Sequence, residues 1–304
     1  MNFPQPGPPS APYRGRFAPT PSGPLHLGSL LTALASWLDA RAQGGTWLLR
    51  IDDLDAPRCP PGADGTILDQ LERHGLHWDE IPRRQSAHVE AYAAAHAGLA
   101  RNGLVYGCRC TRAVLAAESL QGPDGAVYCG RCRDAALPTD GLATRLRVPE
   151  GRIELGDPVQ GLLVRDAGSG IGDFVLRRSD GVIGYQLACV VDEHAQGITH
   201  VLRGADLIGS SLRQRLLQQG LGLPSPVYAH LPVLLATDGR KLSKQNGAAA
   251  LDPRTPGTNI ERCLRLLGQP PAETGLPVPE LLAGARSAWQ LSRVPKMQAI
   301  AAAS

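Results

Sequence analysis

From Tyr13 onward, apolar and polar positions fall into alternating strand-like and helix-like segments. Residues 13–18 read as a strand, after which Leu30, Leu31, Leu34, Trp37 and Leu38 recur at helical spacing and predict a helix over 28–43. Gly44 and Gly45 break that helix, and the apolar run 47–51 predicts a second strand that ends in Asp52, Asp53 and Asp55. Strand, helix, strand in this order is a βαβ unit, which implies a parallel sheet with ligands bound at the carboxyl ends of its strands. Helices over 62–75 and 85–102 and a strand over 103–106 follow. From Cys108 to about Gly184 the pattern changes to short strands and turns, which reads as an insertion. Alternation resumes with the apolar stretch 187–191, a strand over 198–202, a helix over 209–220 and a strand over 231–235. Two short helices, 257–268 and 277–285, and an Ala-rich tail complete the chain, and no internal repeat is found.

The expected organisation is a disordered leader (1–12), an α/β catalytic domain in two halves (13–107 and 185–250), the insertion (108–184) and a short helical C-terminal segment (251–304). A chain of 304 residues buries a substantial core without help from crosslinks. The net charge of +3 is too small for a general nucleic-acid coat, so any RNA contact is expected on a local arginine-lined surface. Seven cysteines, four of them clustered at 108, 110, 129 and 132, fit a reducing compartment and a metal knuckle better than a disulfide framework. The Pro-rich leader has neither the basic nor the apolar region of a signal peptide, and no apolar run is long enough to span a bilayer, so the expected location is the cytoplasm.

Two stretches carry the chemistry. The first, Arg16 to Ser29, places His26, Gly28 and Ser29 at a helix N-terminus, where unpaired backbone N–H groups and a positive partial charge make a cradle for phosphate. The second is Lys241-Leu242-Ser243-Lys244-Gln245, after the Asp238-Gly239 turn. The chain has only three lysines against 28 arginines, and two of them lie in this loop. A compact ammonium on a flexible stem follows charge on a reacting phosphate better than the planar arginine fork does. Taken singly, each has a plainer reading: a helix start that happens to follow a turn for the first, and a solvated basic turn for the second.

Together, in this order and with these flanks, the two stretches resemble the HIGH and KMSKS signatures of class I aminoacyl-tRNA synthetases. The run 16–28 (RFAPTPSGPLHLG) and the segments 185–193 and 197–207 resemble the glutamyl/glutaminyl branch, over roughly residues 13–250. The resemblance implies a Rossmann-like catalytic domain with a zinc-bearing, acceptor-binding-like insertion, and a reaction in which glutamate attacks the α-phosphate of ATP, with Mg2+, before its acyl group passes to RNA. It implies that His26, Gly28, Ser29, Lys241 and Lys244 hold ATP, with His26 and Lys244 catalytic. Ser29 stands where the family has a second histidine. Glutamate has two carboxylates and an ammonium, so its pocket needs two cations and an acid: Arg16 and Arg203 for the carboxylates, Asp52 for the ammonium and Tyr185 as a wall. Phe17, Ala18, Pro19 and Thr20 line the same pocket. The family usually has Glu where this chain has Asp52, one methylene shorter. Surface arginines, a helix-capping Asp52 and a core Tyr185 are the plainer alternatives.

In the cysteine cluster, spacing alone selects Cys108, Cys110, Cys129 and Cys132 as four thiolates around one zinc. The resemblance instead implies Cys108, Cys110, Tyr128 and Cys132, which leaves Cys129 spare. Both sets describe one closed, structural zinc per chain.

The residues after Gly247 are too few for an anticodon-binding domain of ordinary size. The resemblance is therefore to the truncated paralogues of glutamyl-tRNA synthetase, which implies transfer of glutamate to the queuosine base at the wobble position of tRNA(Asp). The partners implied are the anticodon region of tRNA(Asp), L-glutamate and ATP, the chain acting as a monomer away from membranes. Two other readings stay open: charging of a tRNA 3′ end, and a non-catalytic tRNA-binding paralogue.

Overall fold

The computed structural model describes residues 11–236, 238–242, 249–271 and 275–302. The opening unit is β1 (Arg14–Phe17), α1 (Leu27–Ala42) and β2 (Thr46–Ile51), with β1 and β2 parallel and Arg16 opposite Leu48. α1 is buried almost all round, its Leu30, Leu31, Leu34 and Leu38 packing in one core with Trp47, Leu49 and Ile51. Asp39, also buried on α1, accepts hydrogen bonds from Tyr13 Oη at 2.6 Å and Trp289 Nε1 at 2.9 Å, which ties the two ends of the described chain to one helix.

α2 (Ala63–Arg73) leads to β3 (Arg83–Arg84), which pairs in parallel with the far end of β2. The helix expected over 85–102 starts later: Gln85–His88 is a 3₁₀ turn, and α3 runs Val89–Arg101. Gly103, at φ +70°, closes α3 and shifts the next strand to β4 (Val105–Cys108).

The short-strand region contains α4 (Arg112–Glu118), β5 (Leu120–Gly122), β6 (Gly125–Val127), β7 (Ala143–Leu146), β8 (Arg152–Asp157), β9 (Gly161–Asp166) and β10 (Val175–Arg177). β10, β7 and β4 form an antiparallel sheet, while β5–β6 and β8–β9 are hairpins.

After α5 (Tyr185–Ala195), β11 (His200–Gly204) begins beside β1, where the Thr199 amide donates to the Arg14 carbonyl at 2.9 Å. α6 (Ile208–Leu221) then carries the chain to β12 (Val227–Leu231), parallel to β11. β1, β2 and β3 thus form one parallel sheet and β11 and β12 another, set beside β1 through the Thr199–Arg14 bond. The carboxyl ends of β1 and β11 flank the seam between them, a location of the kind that holds the ligand crevice in open α/β sheets. The single strand expected over 231–235 is two strands, because Pro232 has no N–H for a ladder: β12 ends at Leu231 and β13 is Val233–Leu235.

α7 (Pro256–Leu266) and α8 (Val278–Ala288) send Ile260, Cys263, Leu264, Leu281 and Leu282 into the α1 core. The Ala-rich tail contains a strand, β14 (Ala299–Ala301), parallel to β13. Alanine disfavours strands, and the backbone partners offered by β13 override that preference. Among the described residues, no helix is long and apolar enough to cross a membrane.

Candidate active site

A cleft of about 380 Å³ opens at the carboxyl ends of β1 and β11. Arg16, Phe17, Ala18, Pro19 and Thr20 form one wall, Tyr185 and Arg203 another, and His26, Gly28, Ser29 and Lys241 the floor and rim. The fold therefore brings these eleven expected residues together. Lys244 lies outside the described residues.

The floor is the start of α1. His26 is the N-cap residue, and its Nδ1 accepts a hydrogen bond from the Ser29 amide at 3.3 Å. An accepting Nδ1 puts the ring proton on Nε2, the tautomer that donates to an anion. Gly28 makes room for this ring, since a Cβ there would lie 3.1 Å from His26 Cε1 and 3.2 Å from Nδ1. Lys241 belongs to a hairpin in which the Leu242 amide returns to the Leu234 carbonyl at 2.7 Å, and its Nζ meets Asp206 Oδ2 at 2.5 Å.

The two arginines are held differently. Arg16, buried at the end of β1, donates from Nη2 to Glu193 Oε1 at 2.9 Å. Arg203, buried on β11, is held by neutral groups: Nε donates to Ser211 Oγ at 3.1 Å, and Nη2 donates to Ser211 Oγ at 2.5 Å and Gln214 Oε1 at 2.8 Å. Its guanidinium carbon lies 4.9 Å from the centre of the Tyr228 ring. Arg203 Nη1 is buried and has no hydrogen-bond partner among the described residues.

Asp52 stands behind the wall and does not line the cleft. Its amide donates to the Pro19 carbonyl at 3.0 Å, and its carboxylate is gripped by Arg50 Nε at 2.6 Å and Nη2 at 3.2 Å. Burial opposes the charge on Arg50, but Asp52, Cys189 and Glu193 outweigh it and hold that guanidinium well above its ordinary pKa. The short aspartate side chain is thus engaged by an arginine two residues away in the same strand direction.

Glu193, Asp206, Ser211 and Gln214 were not among the residues expected at the site, although Glu193 and Asp206 lie within the segments that resemble the glutamyl branch. Their spacing shows no pairing with Arg16, Lys241 or Arg203.

A second cluster lies beside β4 and β7. The sulfur atoms of Cys108, Cys110 and Cys132 lie within 4.8 Å of one another. Cys110 Sγ is 3.6 Å from Cys132 Sγ, and Tyr128 Oη is 3.6 Å from Cys108 Sγ and 3.5 Å from Cys110 Sγ. Tetrahedral zinc with Zn–S of about 2.3 Å and Zn–O of about 2.0 Å requires S···S near 3.8 Å and S···O near 3.5 Å, so the donor set fits that ion. Cys129 turns away, its Sγ 3.7 Å from Glu118 Oε2. Arg145 donates from Nε to Cys108 Sγ at 3.2 Å and lies 3.9 Å from the centre of the Tyr128 ring. Burial raises the Cys108 thiol, but Arg145 and its other hydrogen bonds prevail and bring it down to about 7, whereas burial and the neighbouring thiols push Cys110 up to about 11 and raise the Tyr128 phenol as well, so in the absence of metal the proton is shared unequally among them.

With this geometry in view, comparison with known proteins is informative. The family described as tRNA synthetases class I (E and Q), catalytic domain, matches residues 13–255. A Glutamyl-Q tRNA(Asp) synthetase of Thiobacillus denitrificans is 47% identical over 291 residues, covering 94% of this chain and 96% of the relative. One from Ectopseudomonas mendocina is 49% identical over 294 residues, covering 96% of this chain and 98% of that one. Among solved structures, a glutamate-tRNA synthetase from Elizabethkingia anophelis superposes with a TM-score of 0.80 at 27% identity, over 95% of this chain and 68% of that chain. A methionyl-tRNA synthetase from Mycobacterium tuberculosis shares the fold, with a TM-score of 0.55 at 13% identity. The chain belongs to the glutamyl and glutaminyl class I tRNA synthetase family and, within it, to the glutamyl-Q tRNA(Asp) synthetases.

Proposed function

We propose that this protein activates L-glutamate with ATP and transfers the glutamyl group to the queuosine base at the wobble position of tRNA(Asp). The observation that carries this reading is identity of 47–49% with glutamyl-Q tRNA(Asp) synthetases along nearly the whole of both chains. The cleft supplies matching chemistry. His26 Nε2–H and the amides at the start of α1 receive the ATP phosphates, with Lys241 at the rim. Lys244 follows the α-phosphate as the glutamate carboxylate attacks it and pyrophosphate leaves, so that the ammonium neutralises charge that grows in the transition state. Mg2+ accompanies ATP as part of that substrate.

Arg203, with Nη1 buried and its partners neutral, receives one glutamate carboxylate, and Arg16 faces the other. Tyr185 closes the pocket beside them. Asp52 balances the ammonium from behind the wall, its shorter side chain leaving room for a bridging water. The acceptor is then presented by the anticodon loop, and the acyl group moves from AMP to a hydroxyl of the modified base. We assign a single structural zinc to Cys108, Cys110, Cys132 and Tyr128, where it braces the short-strand region and leaves no open position for catalysis. The protein works as a monomer in the cytoplasm, where ATP and tRNA are available.

Nuclease digestion of the product tests this function: label from glutamate should travel with the modified wobble nucleoside. Label found only on the 3′-terminal adenosine would favour conventional charging, the activity named for the solved synthetase of similar fold.

A further inference from the structure

Three buried side chains stand in line behind Arg203 and do not themselves line the cleft. Ser211 on α6 bonds to Arg203 at the front, and its Oγ lies 2.5 Å from His230 Nε2 behind. His230 lies on β12 directly opposite Arg203 of β11, and its Nδ1 is 2.5 Å from Asp157 Oδ2 at the end of β8. Ser211 and His230 are fully buried, and Asp157 is 6% exposed.

The direction of each bond follows from what each group can offer. Asp157 collects N–H donors: the amides of Val159 and Gln160 on Oδ1, and the His230 amide on Oδ2. A carboxylate so surrounded accepts only, so His230 Nδ1 carries the proton and Nε2 presents a lone pair. Ser211 then gives its single proton to Nε2 at 2.5 Å in preference to the Leu207 carbonyl at 3.3 Å. Its oxygen lone pairs are thereby aimed at Nε and Nη2 of Arg203. One edge of the guanidinium is pinned, while the buried Nη1 has no hydrogen-bond partner among the described residues.

We propose that Asp157, His230 and Ser211 form a positioning relay that holds the Arg203 fork in the orientation required by a carboxylate of glutamate. This rests on the assignment of Arg203 to a glutamate carboxylate. A guanidinium on rotatable bonds binds a carboxylate weakly unless its plane is fixed in advance, and a hydroxyl whose own proton is committed elsewhere is the simplest neutral anchor. A neutral anchor also leaves the positive charge undiminished.

The test is glutamate-dependent ATP–pyrophosphate exchange with the full chain and tRNA(Asp). Ser211→Ala and His230→Ala should each raise the glutamate KM about tenfold, with kcat and the ATP KM within about twofold. Because the residues act in series, the double variant should match either single one. His230→Gln, whose amide oxygen can accept the Ser211 proton, should recover much of the loss. If His230→Ala does not fold, the smaller Ser211→Ala change carries the test alone. Unchanged glutamate KM in these variants, equal losses toward ATP and glutamate, or multiplying effects in the double variant would overturn the relay. Arg203→Ala separates the two claims: if it leaves the glutamate KM unchanged, the assignment of Arg203 fails. If it raises that KM while Ser211→Ala and His230→Ala do not, the relay alone fails.

Discussion

Arg16 and Glu193 form a buried ion pair, Nη2 to Oε1 at 2.9 Å, on the wall of a cleft whose other arginine, Arg203, is held among the described residues by neutral oxygens. The two cations are therefore unequal. Part of the charge on Arg16 is already answered within the protein, whereas Arg203 keeps its full charge for a ligand.

Arg203→Ala should accordingly raise the glutamate KM by about a hundredfold, the loss expected when a charge-assisted hydrogen-bonded clamp is removed, while the ATP KM stays within a few-fold. Arg203→Lys should rescue little, since a point charge cannot bond both Ser211 and a carboxylate in one plane. Pyrophosphate exchange at varied glutamate and ATP measures both. A change confined to ATP would contradict the placement.

Glu193 has a structural role as well. Its Oε1 also lies 3.8 Å from Arg50 Nη1, but Arg50 keeps Asp52 at 2.6 Å, so Glu193→Ala would chiefly leave the buried Arg16 guanidinium without its partner. Breaking a buried pair in this way costs about 3–5 kcal/mol, which should appear as a lower denaturation midpoint. A midpoint equal to that of the unaltered protein would show that the pair is dispensable.

The metal site gives a sharp contrast between neighbouring residues. The purified protein should contain one zinc per chain, Cys132→Ser should lose it, and Cys129→Ser should keep it, because Cys129 points toward Glu118. Metal analysis by mass spectrometry decides this. Loss of zinc in Cys129→Ser with retention in Tyr128→Phe would restore the four-cysteine set.

Four histidines, His74, His96, His200 and His230, have pKa values lowered chiefly by burial. His74 illustrates why, since Nδ1 meets the Gln70 carbonyl at 2.6 Å and Nε2 faces the Asn259 amide at 3.2 Å, an arrangement that suits the neutral ring. Such groups take up protons more readily in the unfolded chain. Their contribution to stability is complete above the unfolded value of about 6.5 and falls as pH drops below it. The denaturation midpoint should therefore be lower at pH 5.5 than at pH 7.5, and a flat or opposite trend would contradict this.

Much of the site is legible in the sequence because it is local. His26, Gly28 and Ser29 make a helix start within four residues, and Arg16 and Arg203 sit at the ends of strands that the apolar pattern marks. What the sequence conceals is convergence across distance. Asp157, Ser211 and His230 meet through three separate elements, and nothing in their spacing links them. The cysteine cluster shows a subtler limit: spacing favours the pair at 129 and 132, yet the backbone aims Cys129 outward and brings Tyr128 in. β14 was hidden for a third reason, since its alanines carry no strand preference and only the partner strand β13 makes them one.

The central claim is the identity of the acceptor. The most direct measurement is transfer of radiolabelled glutamate to two tRNA(Asp) preparations that differ only in queuosine, both with the 3′-terminal adenosine removed so that no ordinary charging can occur. The expected result is label on the queuosine-containing tRNA alone. Absence of label on both, with label appearing once the 3′ adenosine is restored, would contradict the account and make this a conventional synthetase.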